Sequence, residues 1–334
     1  MQSLQLDNSH LKEWSPRLYR VEEPSPLKRP QLICVNRLLA DEIGFSAEQI
    51  ESEDFTDFIN GSFLAAGSTP YASAYAGHQF GYFVPNLGDG RAVNLGKLGS
   101  YYLQLKGSGK TTYSRDGDGR AILGSTIREF LMSEMMYALG VPTTRALAMI
   151  GSESRVQREK EETAAIVLRA STSWVRFGSF EFAYLGSLKA KNLEQLANWV
   201  IDQSYPYLRD EPNRYEKLYF EISKRTMEMV ALWQSIGFMH GVMNSDNMSI
   251  EGLTLDYGPY AMMEQFNRKS ICNLSDYEGR YSFENQPYMA QWNLSVLAKV
   301  FSPITKIEPL LEYNTLFISR YKKRYMEIML QKLG

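Results

Sequence analysis

Hydrophobic periodicity changes character halfway along this 334-residue chain, and that change limits the folds open to it. From Tyr71 to Gly99 glycine is dense (Gly77, Gly81, Gly88, Gly90, Gly96, Gly99), and short apolar pieces there and just after, such as Arg91–Leu95 and Tyr101–Lys106, alternate as half-buried strands do. One helix follows, about Thr126 to Leu139. Ile127, Phe130, Leu131, Met135 and Ala138 form its apolar stripe, Thr126 and Glu129 fit a capping box, and Gly140 with Pro142 supplies the stop. Two more strands, Arg145–Ile150 and Ala164–Leu168, flank SESRVQREKEET, which reads as a solvated hairpin loop. After Phe182 the period is helical, at Asn192–Ser204, Tyr215–Phe238, Met289–Val300 and Leu316–Leu333, broken by a polar stretch from His240 to Tyr260. The pattern predicts an α+β chain: an N-terminal extension over 1–70 with a helix near Leu38–Ile43, a β-rich lobe over 71–185 and a helical lobe over 186–334. That element order is the layout of a protein-kinase-like two-lobed fold.

Composition narrows the function. Apolar residues at 44% and charged residues at 22% are globular proportions, and no apolar run approaches the ~20 residues that span a bilayer. Lys plus Arg total 36 against 38 for Asp plus Glu, which argues against a broad basic face for nucleic acid. Cys34 and Cys272 make no disulfide framework, and His10, His78 and His240 make no multi-histidine zinc site. The first twenty residues carry neither an apolar signal core nor an Arg- and Ser-rich presequence. The expectation is a cytoplasmic protein whose partners are neither nucleic acid nor membrane.

The stretch HGVMNSDNMSIEGLTLDYG carries the most chemistry. Kinases use H-R-D-x-x-x-x-N followed by D-F-G to supply a base and two metal ligands. Here His240 and Asn247 keep the His-to-Asn interval, and Asp256-Tyr257-Gly258 stands where D-F-G would. The position of the kinase base holds Val242, which cannot accept a proton, and Asp246 offers a carboxylate four residues on. An Asx-rich turn is the bland alternative; the three features in register outweigh it. Lys106 ends a strand and Glu129 lies in the next helix, as the phosphate-holding lysine and its glutamate do in kinases. A snorkelling lysine and the capping box are their plain alternatives. LGDGR places Gly88, Gly90 and Arg91 in a turn that suits either phosphate or an ordinary hairpin. GSGKTT fails as a P-loop, since Gln104 stands where glycine is required, and RDGDGR has too few acids for calcium. Arg169 and Arg176 either cap local carbonyls or face one phosphate-filled cleft; the residues alone leave both open.

Together YAGHQFG, LGDGR, QLKGSG, YSRDGDGRA, IREFLMSE, GVPTTRAL, RFGSFEF and HGVMNSDNMSIEGLTLDYGP, over Tyr71 to Leu297, resemble the selenoprotein O family. The resemblance implies a pseudokinase that binds ATP flipped relative to kinases and transfers AMP to protein hydroxyls. It implies Asp246 as proton acceptor, Asn247 and Asp256 as ligands to magnesium or manganese, and Asp256 also at the nucleotide. It further implies Lys106 on phosphate with Glu129 as its partner. Gly88, Gly90, Arg91, Asp118, Gly119, Arg169 and Arg176 are implied as nucleotide contacts, which settles the two arginines on the functional side. Lys110 and Trp174 depart from the more usual proline and histidine, and the stretch between Arg91 and Lys106 is short. The chain also ends at Gly334, before family members do, implying a shortened helical lobe without the C-terminal selenocysteine or cysteine motif. Two rivals remain: a phosphotransferase with Asp246 as displaced base, and an inactive nucleotide-binding scaffold.

Overall fold

The computed structural model describes every residue except Gln2. It divides into two compact units, one of Met1–Ala74, Asn86–Leu139 and Thr143–Trp174, the other of Tyr75–Pro85, Gly140–Pro142 and Val175–Gly334.

The first unit is organised by a nine-stranded antiparallel sheet, less residues 75–85 of β3 and β4. Its strands are β1 (Tyr19–Val21), β2 (Gln31–Val35), β3 (Tyr71–Gln79), β4 (Tyr82–Gly88), β5 (Ala92–Leu98), β6 (Tyr101–Lys106), β7 (Ala121–Ile122), β8 (Arg145–Gln157) and β9 (Glu161–Ser171). They run β1-β3-β5-β6-β9-β8-β2, with β4 beside β3 and β7 beside β9. Successive side chains of a strand point to opposite faces, and β6 and β9 use this sharply. Leu103, Leu105, Ile166, Leu168 and Ala170 face the main core. There, with Leu95, Leu147 and Ile150, they bury against helices α1 (Arg37–Ile43), α2 (Ala47–Glu51) and α3 (Glu53–Asn60), which contribute Leu39, Ile43, Ile50, Phe55, Phe58 and Ile59. Each such side chain is worth ~1.5–3 kcal/mol on burial. Residues 1–60 thus supply two strands and three helices to this unit.

The opposite face of β6 and β9 carries Gln104, Lys106, Val167 and Arg169 and lies under α4 (Leu123–Ala138), whose Ile127 and Phe130 pack on Ala146, Met149 and Val167. This helix corrects the sequence reading twice. It starts one turn early, so Thr126 lies inside it and its hydroxyl donates back to the Ile122 carbonyl at 3.0 Å; no capping box forms. Its buried side is Thr126, Glu129, Met132, Ser133 and Met136, whereas Leu131 and Met135 are exposed. The helix covers a polar row of the sheet, and turning Glu129 inward to meet that row rotates the apolar stripe outward. The expected loop at 152–163 is instead a ribbon: β8 continues to Gln157 and β9 begins at Glu161. Its side chains past Gly151 are mostly exposed, so no apolar alternation marked it.

The second unit is mainly helical: α5 (Phe177–Ala183), α6 (Lys189–Ser204), α7 (Arg214–Ser235), α8 (Gln286–Phe301), α9 (Ile307–Thr315) and α10 (Phe317–Leu333). Ile222, Met229 and Trp233 of α7 are fully buried, and Phe301 of α8 meets the rings of Phe180 and Tyr219. Gly237, at φ 73°, ends α7 short of Phe238, which begins a two-stranded pair, β10 (Phe238–Met239) with β11 (Ala261–Met262). The polar stretch between them holds one 3-10 turn, Ser245–Asn247. Among the described residues no helix is long and apolar enough to cross a membrane.

Candidate active site

Strand register places the first group of predicted residues. Lys106 lies opposite Ala92, and Asn94, Gln104 and Arg169 form one row across β5, β6 and β9. Glu129 reaches this row from α4: its carboxylate meets Lys106 Nζ at 2.7 Å and Arg169 Nη1 at 2.7 Å. All three side chains are at least nine-tenths buried. Glu129 thus meets two buried cations, groups of the kind that can also hold an anionic phosphate. The Arg169 guanidinium also lies 4.5 Å from the Trp174 ring centre.

The LGDGR turn runs from β4 to β5. A Cβ on Gly88 would lie 2.2 Å from the Tyr113 ring, and one on Gly90 2.7 Å from the Tyr113 carbonyl oxygen, so both glycines admit the neighbouring 111–114 segment. Thr111 Oγ1 donates to the Asp89 carbonyl (2.8 Å), Ser114 Oγ to that of Gly90 (2.5 Å), and Gly107 N–H to that of Arg91 (2.7 Å). The Arg91 side chain is exposed. Asp118 is engaged elsewhere: Arg158 grips its carboxylate at 2.8 and 2.9 Å and holds its pKa below the usual range. Gly119, at φ 69°, has no room for a Cβ, which would sit 2.0 Å from the Gly109 carbonyl oxygen. Lys106, Glu129 and Arg169 are therefore brought together, Arg91 follows the turn whose backbone ties to the end of β6, and Asp118 pairs with Arg158.

In the second unit the Ser245–Asn247 turn is held by the preceding GHQF segment in register. His78 N–H donates to Ser245 Oγ (2.7 Å), Gln79 Nε2 to Asp246 Oδ2 (3.1 Å), and Phe80 N–H to Asn244 Oδ1 (3.1 Å), which also receives the Tyr281 hydroxyl at 2.6 Å. Asp246 is buried and its Oδ1 has no hydrogen-bond partner among the described residues. Burial pushes its carboxyl up to about 6, against the opposing pull of the Gln79 amide and the Arg176 charge. Arg176 links the group. Its Nη1 donates to the Asp246 carbonyl at 3.1 Å and stands 4.0 Å from Asp256 Oδ2, with its guanidinium 4.3 Å from the Tyr75 ring centre. Asn247 Nδ2 donates to the Val242 carbonyl at 2.9 Å. His240 is buried and neutral, its imidazole pushed down to about 4 by desolvation.

Asn247 and Asp256 offer hard oxygen donors beside a buried, unmatched carboxylate oxygen. That set fits a cation such as Mg2+, which keeps waters and substrate phosphates in its shell. Among the described residues no cluster of three His, Cys, Asp or Glu side chains forms a self-sufficient metal cage.

Three residues in contact with the candidate site escaped the sequence reading: Gly77 and Gln79, which touch Asp246, and Gln104, which touches Arg169. A Cβ on Gly77 would lie 2.6 Å from Asp246 Oδ1, so only glycine leaves space for the carboxylate. The signal for the first two was the run GHQFG, polar residues set between two glycines. For Gln104 it was an amide at a position where strand alternation offered only burial.

The chain matches the family model described as protein adenylyltransferase SelO over residues 3–334. It is similar to proteins named protein nucleotidyltransferase YdiU. One, from Dechloromonas aromatica, is 48% identical over 318 residues, covering 93% of this chain and 64% of the relative. Another, from Herminiimonas arsenicoxydans, is 46% identical over 328 residues, covering 96% and 65%. A third, from Klebsiella pneumoniae, is 45% identical over 335 residues, covering 98% and 69%. The chain thus spans under two thirds of the length of the first two. With the model matched over almost all of its residues, the chain belongs to the protein adenylyltransferase SelO family.

Proposed function

We propose that the chain is a cytoplasmic, ATP-dependent protein adenylyltransferase that transfers AMP to Ser, Thr or Tyr hydroxyls of proteins and releases diphosphate. In this reading it has a kinase-like two-lobed organisation, an extension over 1–70 with lobes over 71–185 and 186–334. Lys106, Arg169 and Arg176 grip the phosphates, Glu129 orients the first two, and Gly88, Gly90, Arg91, Asp118 and Gly119 complete the nucleotide contacts. Asn247 and Asp256 would hold magnesium or manganese, which when bound neutralises charge on the triphosphate.

Asp246 accepts the proton of the attacking hydroxyl. The hydroxyl oxygen forms a bond to the α-phosphorus as the bond from that phosphorus to the diphosphate oxygen breaks, and the diphosphate leaves with both electrons of that bond. A base works best with a pKa near the working pH, and the buried Asp246 carboxyl at about 6 meets that condition. The observation that carries the reading is this exchange of bases: Val242 stands where a kinase keeps its aspartate, while Asp246 presents a buried carboxylate oxygen without a hydrogen-bond partner among the described residues. The family membership and the nucleotidyltransferase names of the relatives support the same chemistry.

Intact-mass analysis after incubation with ATP and magnesium, with a hydroxyl-bearing protein added, tests it. A gain of whole adenylyl groups on either protein, lost in Asp246→Asn, is the expected result. Phosphoryl-sized gains, or no gain at all, would overturn it.

A further inference from the structure

Gln104 is wholly buried at the centre of the first unit's polar row. Its Oε1 accepts from Arg169 Nη2, and its Nε2 donates to Asn94 Oδ1 at 3.0 Å. Asn94 is equally buried, and its Nδ2 donates onward to Asp89 Oδ2 at 3.1 Å. The Asp89 carboxylate also receives the Ser73 N–H at 3.1 Å, and Asp89 is the central residue of the Gly88-Asp89-Gly90 turn.

The charges at the two ends dictate how both amides must point. The arginine can only donate, so the Gln104 oxygen turns toward it; the carboxylate can only accept, so the Asn94 nitrogen turns toward that. With those ends fixed, the remaining Gln104 nitrogen and Asn94 oxygen match each other. A flipped amide would oppose two acceptors or two donors in a dry interior, where an unmet polar group is costly. The relay therefore has one low-energy arrangement, running from cation to anion across three strands.

Its mechanical effect falls on Arg169. Glu129 holds Nη1 from helix α4. Gln104 holds Nη2 from a different strand, and the Trp174 ring supports one face. Contacts from α4, from β6 and from the Trp174 ring together orient the guanidinium, and the same chain of bonds ties it to the glycine turn.

We propose that Gln104, relayed through Asn94, is a positioning residue that sets the Arg169 guanidinium and the Gly88–Gly90 turn in fixed relation for holding the nucleotide phosphates. This rests on the reading of Arg169 and the turn as nucleotide contacts. Gln104→Leu keeps the volume and removes both bonds; Gln104→Glu keeps an acceptor for Arg169.

The test uses the full chain with two readouts. The first is the side-chain guanidinium N–H resonances of Arg169, assigned by their absence in Arg169→Lys. These exchange slowly in the unmodified protein and in Gln104→Glu, and are broadened or lost in Gln104→Leu. The second is calorimetric binding of ATP with magnesium, which weakens about tenfold or more in Gln104→Leu, the loss expected for a hydrogen bond to a charged group, and recovers in part in Gln104→Glu, which restores the bond to Arg169 but sets a second carboxylate oxygen against Asn94 Oδ1. Thermal unfolding without nucleotide confirms that both variants are folded; simple structural damage would not be reversed by the charged replacement. If Arg169 gives the same sharp signals in Gln104→Leu, the positioning role is overturned whether or not ATP binds. If the unmodified protein shows the ordered Arg169 but no affinity for ATP, the nucleotide reading fails and the role assigned to Gln104 falls with it.

Discussion

Gln79 donates its side-chain amide to Asp246 at 3.1 Å, so a residue 167 positions earlier in the chain holds the carboxylate that would act as base. Beside it, Gly77 leaves the space that Asp246 Oδ1 occupies. Gly77→Ala would put a methyl 2.6 Å from that oxygen and 2.8 Å from Asp246 Cβ, closer than real contacts allow. We expect Gly77→Ala to lower AMP transfer by about 10² or more, since small displacements of a catalytic group are that costly, while ATP affinity stays within a few-fold. Initial rates and calorimetry on the same preparation check it.

Glu129 and Lys106 should fail in different ways. Removing the carboxylate takes an ion-pair partner from both buried cations, Lys106 and Arg169, and breaking a buried pair by removing one partner costs about 3–5 kcal/mol. Glu129→Leu is therefore expected to unfold at clearly lower denaturant. Lys106→Met leaves Glu129 still paired with Arg169 at 2.7 Å, so its stability loss is smaller. Its rate loss, by contrast, is about 10²–10³, typical of deleting one preorganised charge. Urea unfolding curves and transfer rates for the two variants separate these effects.

Acid should weaken the fold before it titrates ordinary carboxylates. His10 is buried, with Nε2 at 3.0 Å from the Tyr71 hydroxyl, and desolvation pushes its imidazole down to about 4; burial does the same to His240. The unfolded chain takes up these protons near 6.5, the folded one only near 4, so between those values the unfolded state binds more protons. The histidine contribution is complete above pH 6.5 and is lost as pH falls toward 4. Asp246, raised to about 6, acts in the opposite direction but is one group against two. The urea midpoint is expected to drop from pH 7 to pH 5, and to drop less in His10→Gln.

Much of this arrangement was legible in the sequence, and the failures share one cause. The long helices were visible because their faces are partitioned between core and solvent, and Tyr101–Lys106 because its two buried faces alternate apolar with polar. The helix carrying Glu129 was misread because its inward side is polar: Glu129 and Thr126 looked like a cap, and Leu131 and Met135 looked like a core stripe. Helix α5 was missed for the converse reason. It is buried almost all round, Glu181 included, so it shows no amphipathic period. Asp246, Asn247 and Asp256 stood out by interval, whereas Gln79 and Gln104 act through partners far away in the chain that no spacing rule connects.

Asp256 and Asp246 are expected to separate binding from turnover. Asp256→Ala removes a hard oxygen donor and should abolish the gain in ATP affinity that magnesium brings. Asp246→Asn should keep that gain and lose turnover, because a base acts only as the proton moves. Calorimetric titrations with and without magnesium distinguish them; equal loss of affinity in both would reverse the assigned roles.

The position of an isotope in ATP tests the central claim most directly. Protein incubated with magnesium and α-labelled ATP, alone or with a hydroxyl-bearing protein, should become labelled, and a parallel reaction with γ-labelled ATP should leave it unlabelled. The α-label should vanish in Asp246→Asn. Label arriving from the γ position, or α-label that persists without the Asp246 carboxylate, would contradict the account.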